Sequence, residues 1–166
     1  VGLYDPAEND LNLNMWEFSD GEKILKIVKK LQKIQLSKDA QNIYKKLLLT
    51  NAFPPENNIN FEEFVELKIN WLLKNDDLSL IKEFIIKNSL ESSNNILIKY
   101  YLDKNLSLSK IDNACEIFSE VNIIPDANYI VKYKIYCLIH QEKKEIAQLQ
   151  YDLAKESGFK DNFFDK

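Results

Sequence analysis

Between residues 61 and 157, apolar side chains recur at helical spacing, and short polar breaks interrupt them at near-regular intervals. Such a chain folds as helix pairs joined by tight turns, because each break is too short for anything but an antiparallel return. Three pairs are predicted: 61–75 with 79–90, 93–104 with 109–121, and 127–141 with 143–157. One apolar face repeats along the second helices: Ile81, Phe84 and Ile85, then Ile111, Ala114 and Phe118, then Ile146, Leu149 and Leu153. The intervals are 30 residues (111 − 81) and 35 residues (146 − 111).

The first helices carry their own stripes. Phe61, Phe64, Val65, Leu67, Ile69, Trp71, Leu72 and Leu73 cover more than half of the first, as expected of a helix packed on two sides. Ile96, Leu97, Tyr100 and Tyr101 mark the second, and Ile130, Val131, Ile135 and Leu138 the third. Asn60 with Glu63 forms a capping-box pattern, Ser109 with Asp112 is a further helix opening, and Gly158 stands where a helix ends. Pro125–Asp126 closes the second unit, and an aromatic opens the third. This plan resembles tetratricopeptide repeats. The resemblance implies an all-α fold: hairpins stacked as a short α-solenoid, with first helices lining a concave surface. The pattern departs from the family where a small residue is expected within each first helix; Leu72, Tyr101 and Leu138 lie there.

Residues 2–8, Gly-Leu-Tyr-Asp-Pro-Ala-Glu, followed by Leu13 and Met15-Trp16, carry a second resemblance, as do residues 129–137 with Ala147 and Leu149. They are similar to segments of uncharacterised alphaproteobacterial secreted helical-repeat proteins. That resemblance implies a bacterial, periplasmic, non-catalytic domain, with the cytoplasm as the alternative, and carries over no functional residues.

Residues 1–18 lack a helical period yet carry Leu3, Tyr4, Leu11, Leu13, Met15, Trp16 and Phe18. A disordered tail is poorer in aromatics. The segment therefore reads as an extended arm lying on the helices and anchored by Trp16; docking onto another protein is the alternative. A first helical pair occupies 19–53. Ser19 with Glu22 suggests its capping box, and Ile24, Leu25, Val28, Leu31 and Ile34 its stripe. Lysines crowd the opposite face as a solvated surface. The second helix opens at Ser37, carries Ala40, Ile43, Tyr44, Leu47 and Leu48, and stops before Pro54–Pro55. Residues 54–60 are a candidate hinge. The chain is expected to be one helical domain spanning 1–166, ending in a tail over 158–166 that includes Phe159, Phe163 and Phe164. Those three phenylalanines suggest that something covers the last helix.

Composition narrows the function classes. All 22 basic residues are Lys, with no Arg, and the net charge is −4. Arg is the bidentate reader of phosphate and guanine, so nucleic acid is not an expected partner. No run is long and apolar enough for membrane insertion. There is no signal-peptide pattern, and the chain opens on Val1 without Met, as a mature or trimmed fragment would. Cys115 and Cys137 do not form a disulfide framework and read as buried, reduced thiols.

Sites for chemistry are sparse. His140 is the single histidine, and Cys137 three residues earlier makes a Cys–His pair geometrically conceivable. A packed thiol beside a surface imidazole explains the same residues. Glu62, Glu63 and Glu66 suit the positive end of a helix dipole without any site, and Asp161 and Asp165 fall in the tail. No phosphate loop, hydrolase elbow or zinc motif occurs. No cofactor, metal or catalytic residue is expected.

The reading is thus an interaction module or scaffold binding a protein or peptide. Its candidate surface is Tyr129, Tyr133 and Tyr136, sharing one face at i, i+4, i+7, together with Tyr100 and Tyr101. The alternatives are a purely structural segment of a longer repeat protein, and an enzyme of unrecognised class.

Overall fold

A computed structural model describes residues 1–88, 95–121 and 128–161. It is all-α, with two isolated β-bridges and no strand among the described residues. The helices are α1 (Gly21–Leu31), α2 (Lys38–Leu49), α3 (Phe61–Asn75), α4 (Leu78–Lys87), α5 (Asn95–Ser107), α6 (Ile111–Glu120), α7 (Asn128–His140) and α8 (Lys144–Glu156). A short 3-10 turn, Ala7–Asn9, interrupts the arm. The chain divides into two compact units, Val1–Asn88 and Ser89–Lys166.

The first unit holds the arm and α1 to α4. α3 starts as its sequence dictates: Asn60 accepts from the Glu63 amide at 2.8 Å, and the Glu63 carboxylate accepts from the Asn60 amide at 2.9 Å. Its buried residues are Phe64, Val65, Leu67, Lys68, Ile69, Trp71 and Leu72. At α1 the cap is Asp20, not Ser19; its carboxylate accepts from the Lys23 amide at 3.0 Å. That bond, reinforced by the Asn58 side chain, holds the Asp20 carboxyl below its ordinary range. α1 ends at Leu31, so Ile34 lies beyond it, 58% exposed, while Ile24 and Val28 are buried. On α2 the buried residues are Leu48 and Leu49, and Ile43 is exposed. Tyr44 meets Trp71 edge-on at 6.1 Å. The 54–60 loop, a hinge candidate by sequence, is fastened at its middle: the Glu56 amide donates to the Glu17 carbonyl and the Gly21 amide to the Asn57 carbonyl.

The arm packs inside its own unit. Gly2, Leu3 and Pro6 are buried, whereas Trp16 is half-buried and meets Phe64 edge-on at 6.1 Å. Tyr4 pairs in parallel with Thr50. Sequence reading did not find Lys68, which is 1% exposed. Its Nζ donates to the Val1 carbonyl at 2.5 Å and the Thr50 carbonyl at 3.1 Å, and sits 5.0 Å from the Phe64 ring centre. Burial pulls its pKa down to about 8.

In the second unit α5 packs on α6 and α7, α6 on α7, and α7 on α8. Leu97, Ile98, Tyr101, Leu102, Ala114, Cys115, Ile117, Ile130, Ile135 and Cys137 are buried. Ile96, expected on the α5 stripe, is 57% exposed, and Ile98 and Leu102 take its place. The start of the second pair at residue 93 and the Pro125–Asp126 close of the second unit lie outside the described residues, as do Phe163, Phe164 and Asp165. Phe159 is covered by the chain itself. It is buried with Ile135 and Ala147, and meets Tyr151 edge-on at 6.4 Å. The Phe159 amide donates to the Ala154 carbonyl and the Gly158 amide to the Lys155 carbonyl, with Gly158 at φ 92°. This is the two-bond helix end that the glycine makes possible.

The turns repeat at an even step. Asp76, Ser109 and Glu142 all have left-handed backbone, with φ 52°, 57° and 60°. They are 33 residues apart (109 − 76 and 142 − 109), and α4, α6 and α8 each begin two residues later. Ser109 therefore ends a turn and does not cap; Lys110 occupies the cap position. Shifting by 33 superposes buried Ile81, Ala114 and Ala147, and likewise buried Phe64, Leu97 and Ile130. The register of 30 and 35 residues is therefore corrected. Ile146, Leu149 and Leu153 are 50%, 57% and 49% exposed, and align with Asn113, Glu116 and Glu120 on the polar side of α6.

Candidate functional site

Five tyrosines form the candidate surface, and the structure sorts them. Tyr101 is buried at 4% exposure, its hydroxyl donating to the Asn113 carbonyl at 3.2 Å, so it ties α5 to α6. Tyr100, Tyr129, Tyr133 and Tyr136 are half-buried. Tyr129 and Tyr133 lie ring against ring at 4.7 Å, tilted by 51°. The Tyr129 hydroxyl donates to the Asp103 carboxylate, which joins α7 to α5. Lys99 lies 4.9 Å from the Tyr129 ring centre, and Lys104 5.5 Å from that of Tyr100. Tyr136 stacks on His140 at 6.4 Å, with rings 4° from parallel.

The 33-residue step places Tyr100 and Tyr133 at equivalent positions on two neighbouring helices. The first unit has buried Leu67 at that position. Asp103, Lys99 and Lys104 were not singled out by sequence. Asp103 and Tyr136 are themselves 33 residues apart, a signal legible only once the turn register is known. Together the surface alternates rings with charges of both signs. It thus offers rigid ring faces, polar hydroxyl tips and nearby ammonium groups on one side of the helix pair.

The catalytic candidates are not assembled. Cys115 and Cys137 are bonded to each other, contrary to the expectation of reduced thiols, with Cα atoms 5.3 Å apart. Their separation of 22 residues carries one from α6 onto α7, two helices that pack together, and so brings the sulfurs within reach. Cys137 therefore has no thiolate for His140 to activate. The His140 ring nitrogen lies 3.1 Å from an Asp112 carboxylate oxygen. Of the carboxylates, Glu63 serves the α3 cap, while Asp161 pairs with Lys132 at 2.9 Å. A cleft of about 390 Å³ between α1 and α3 is lined by Glu63, Glu66 and Lys29, with no nucleophile or histidine beside them. Among the described residues no group of His, Cys, Asp and Glu is arranged to hold a metal ion. Among them, too, no helix is long and apolar enough to cross a membrane.

No family model, curated protein or solved structure matches this chain.

Proposed function

We propose that this chain is a non-catalytic interaction module, a short tetratricopeptide-like α-solenoid that receives a peptide or helix of a partner protein. The binding surface would be the tyrosine face of α5 and α7, carried by Tyr100, Tyr129, Tyr133 and Tyr136, with Tyr101 buried beneath it. The observation that supports this most is the repetition of Tyr100 and Tyr133 at one register position of adjacent helices, bridged through Tyr129 and Asp103. The 33-residue step of the turns is also close to the period of such repeats. A buried disulfide favours an oxidising compartment, in keeping with a periplasmic location.

The test is capture from the source cell, using wild-type chain and the Tyr133→Ala and Tyr136→Ala variants as parallel baits. Proteins held by the wild type and lost from both variants are expected. A capture profile that neither substitution changes would withdraw the tyrosine surface.

A further inference from the structure

The manner in which the arm is held points to a second site, in the first unit and independent of the tyrosines. Each backbone polar group from the Val1 carbonyl to the Tyr4 carbonyl has a partner. The Val1 carbonyl accepts from Lys68 Nζ at 2.5 Å and the Leu3 carbonyl from Lys87 Nζ at 2.8 Å. The Asn88 side chain brackets Gly2: its Oδ1 accepts from the Gly2 amide at 3.0 Å, and its Nδ2 donates to the Gly2 carbonyl at 3.2 Å. The Leu3 and Tyr4 amides donate to the Leu49 carbonyl at 2.6 and 3.3 Å, and the Tyr4 carbonyl accepts from the Asn51 amide at 2.9 Å.

A strand that belongs to a sheet is satisfied by a ladder of backbone groups. Here one side is a short backbone edge at 49–51, and the other is the side chains of Lys68 in α3, Lys87 at the end of α4 and Asn88, which caps that helix. That combination is how a groove reads an extended peptide: backbone pairing supplies affinity, and side-chain pockets supply choice. The choice is legible. Gly2 is buried, and a Cβ there would stand 2.5 Å from the Asn51 nitrogen, so no larger residue fits. Leu3, the next residue, is buried at 4% exposure. The Tyr4 side chain is half-buried although its backbone is paired, and Asp5 is exposed.

We propose that this groove, formed by residues 49–51, Lys68, Lys87 and Asn88, is a binding site for an extended partner peptide carrying a Gly–Leu pair. Residues 1–4 fill it in cis as a tethered stand-in. A tether of this kind competes at millimolar effective concentration, so the site opens to a partner when the arm is displaced.

The experiment keeps the chain whole while it folds. A protease recognition sequence is inserted after Asp10, which is exposed and follows the 3-10 turn. The purified protein is cut there, and a labelled Val-Gly-Leu-Tyr-Asp-Pro peptide with blocked ends is added. We expect uptake of the label by the cut protein, with unchanged helical circular dichroism. Uptake should be at least tenfold weaker for the peptide with Ala in place of Gly, and at least a hundredfold weaker for uncut chain. Loss of helix on cutting would make the arm a part of the core and overturn the proposal. So would no uptake by a cut protein that stays helical, or equal uptake of the Gly and Ala peptides. A concentration-dependent dimer of uncut chain without peptide uptake would assign the groove to a second copy's arm, and would also overturn it.

Discussion

The two units solve the same problem differently. Each has its own buried core, and each adds long-range ties to it. The first unit uses polar, reversible ties, with Lys68, Lys87 and Asn88 reaching the arm's backbone and a charged amine enclosed at its centre. The second unit uses a covalent tie between α6 and α7 at Cys115 and Cys137, and closes its last hairpin with Phe159 over Ile135 and Ala147. The contrast follows from what fills equivalent positions. Where α3 has Lys68, α5 has Tyr101, whose ring is apolar and whose hydroxyl finds a nearby carbonyl. An enclosed amine needs backbone acceptors brought to it, and the arm supplies one of them. An enclosed tyrosine needs none from outside its hairpin.

The largest expected effect tests the covalent tie. Replacing Cys115 and Cys137 together by Ser should lower the second unit's stability by about 3 kcal/mol, the usual value for a loop of this length. Thiol titration of denatured, unreduced protein should find no thiol, and two after reduction. Both tryptophans, Trp16 and Trp71, lie in the first unit. The double substitution should therefore move the transition seen by circular dichroism and leave the tryptophan fluorescence transition in place. Coincident shifts of both signals would break the comparison, showing that the units unfold as one.

The next effect concerns Lys68. Its folded pKa, about 8, lies below the ordinary lysine value of 10.5. Between those values the unfolded chain binds more protons than the folded one, so stability rises with pH. The cost of enclosing the charge is fully present below pH 8 and is relieved above it. Tryptophan-monitored urea unfolding should show a gain of about 2–3 kcal/mol from pH 7 to pH 10, because a proton held tenfold less tightly costs about 1.4 kcal/mol. Lys68→Met should abolish that gain. A wild-type curve flat across this range would mean that the amine is hydrated.

A smaller effect of opposite sign is expected at Tyr44. Its hydroxyl is enclosed without a hydrogen-bond partner among the described residues, and burial raises its pKa to about 12. Above pH 10 the unfolded chain releases that proton first, so stability falls from pH 10 toward 12. Tyr44→Phe should remove this fall and, by deleting an unsatisfied polar group, stabilise the first unit by about 1 kcal/mol at pH 7. Destabilisation of that size would reveal a partner for the hydroxyl.

Sequence carried the helices well and their register poorly, for physical reasons. Helical period and the Asn60–Glu63 cap are properties of local chain, and α3 falls where they place it. The even 33-residue spacing resides in the turns, where Asp76, Ser109 and Glu142 share a left-handed backbone but no side-chain type. With no glycine to mark them, apolar identity became the guide. It misled at α8, where Ile146, Leu149 and Leu153 face outward. Lys68 was hidden for the opposite reason: a lysine among apolar neighbours reads as a solvated interruption, since enclosing it requires acceptors from residues far off in the chain. The disulfide needed the packing of α6 on α7, which spacing alone does not give. The spacing of Tyr129, Tyr133 and Tyr136 was legible at α7 because i, i+4, i+7 is a local geometry.

The smallest stability effect is expected at Tyr133, and it bears on whether the second unit has surface to spare for a partner. The ring is half-buried and touches Tyr129 at 4.7 Å, while the α7 core is made by Ile130, Ile135 and Cys137. Truncation to Ala should therefore cost the aromatic pair, about 0.5–1.5 kcal/mol, and little else. Partner capture should fall much further than stability, because a tyrosine at the centre of a contact loses its whole buried area there. The Tyr129 hydroxyl bond to Asp103 gives an internal control, since Tyr129→Phe should loosen α7 against α5 without removing a ring. If Tyr133→Ala costs more than about 2 kcal/mol, the ring belongs to the core by the measure of large-to-small substitutions. The second unit would then resemble the first, with its interior extended to the position that Leu67 fills in α3, and the tyrosine face would be packing.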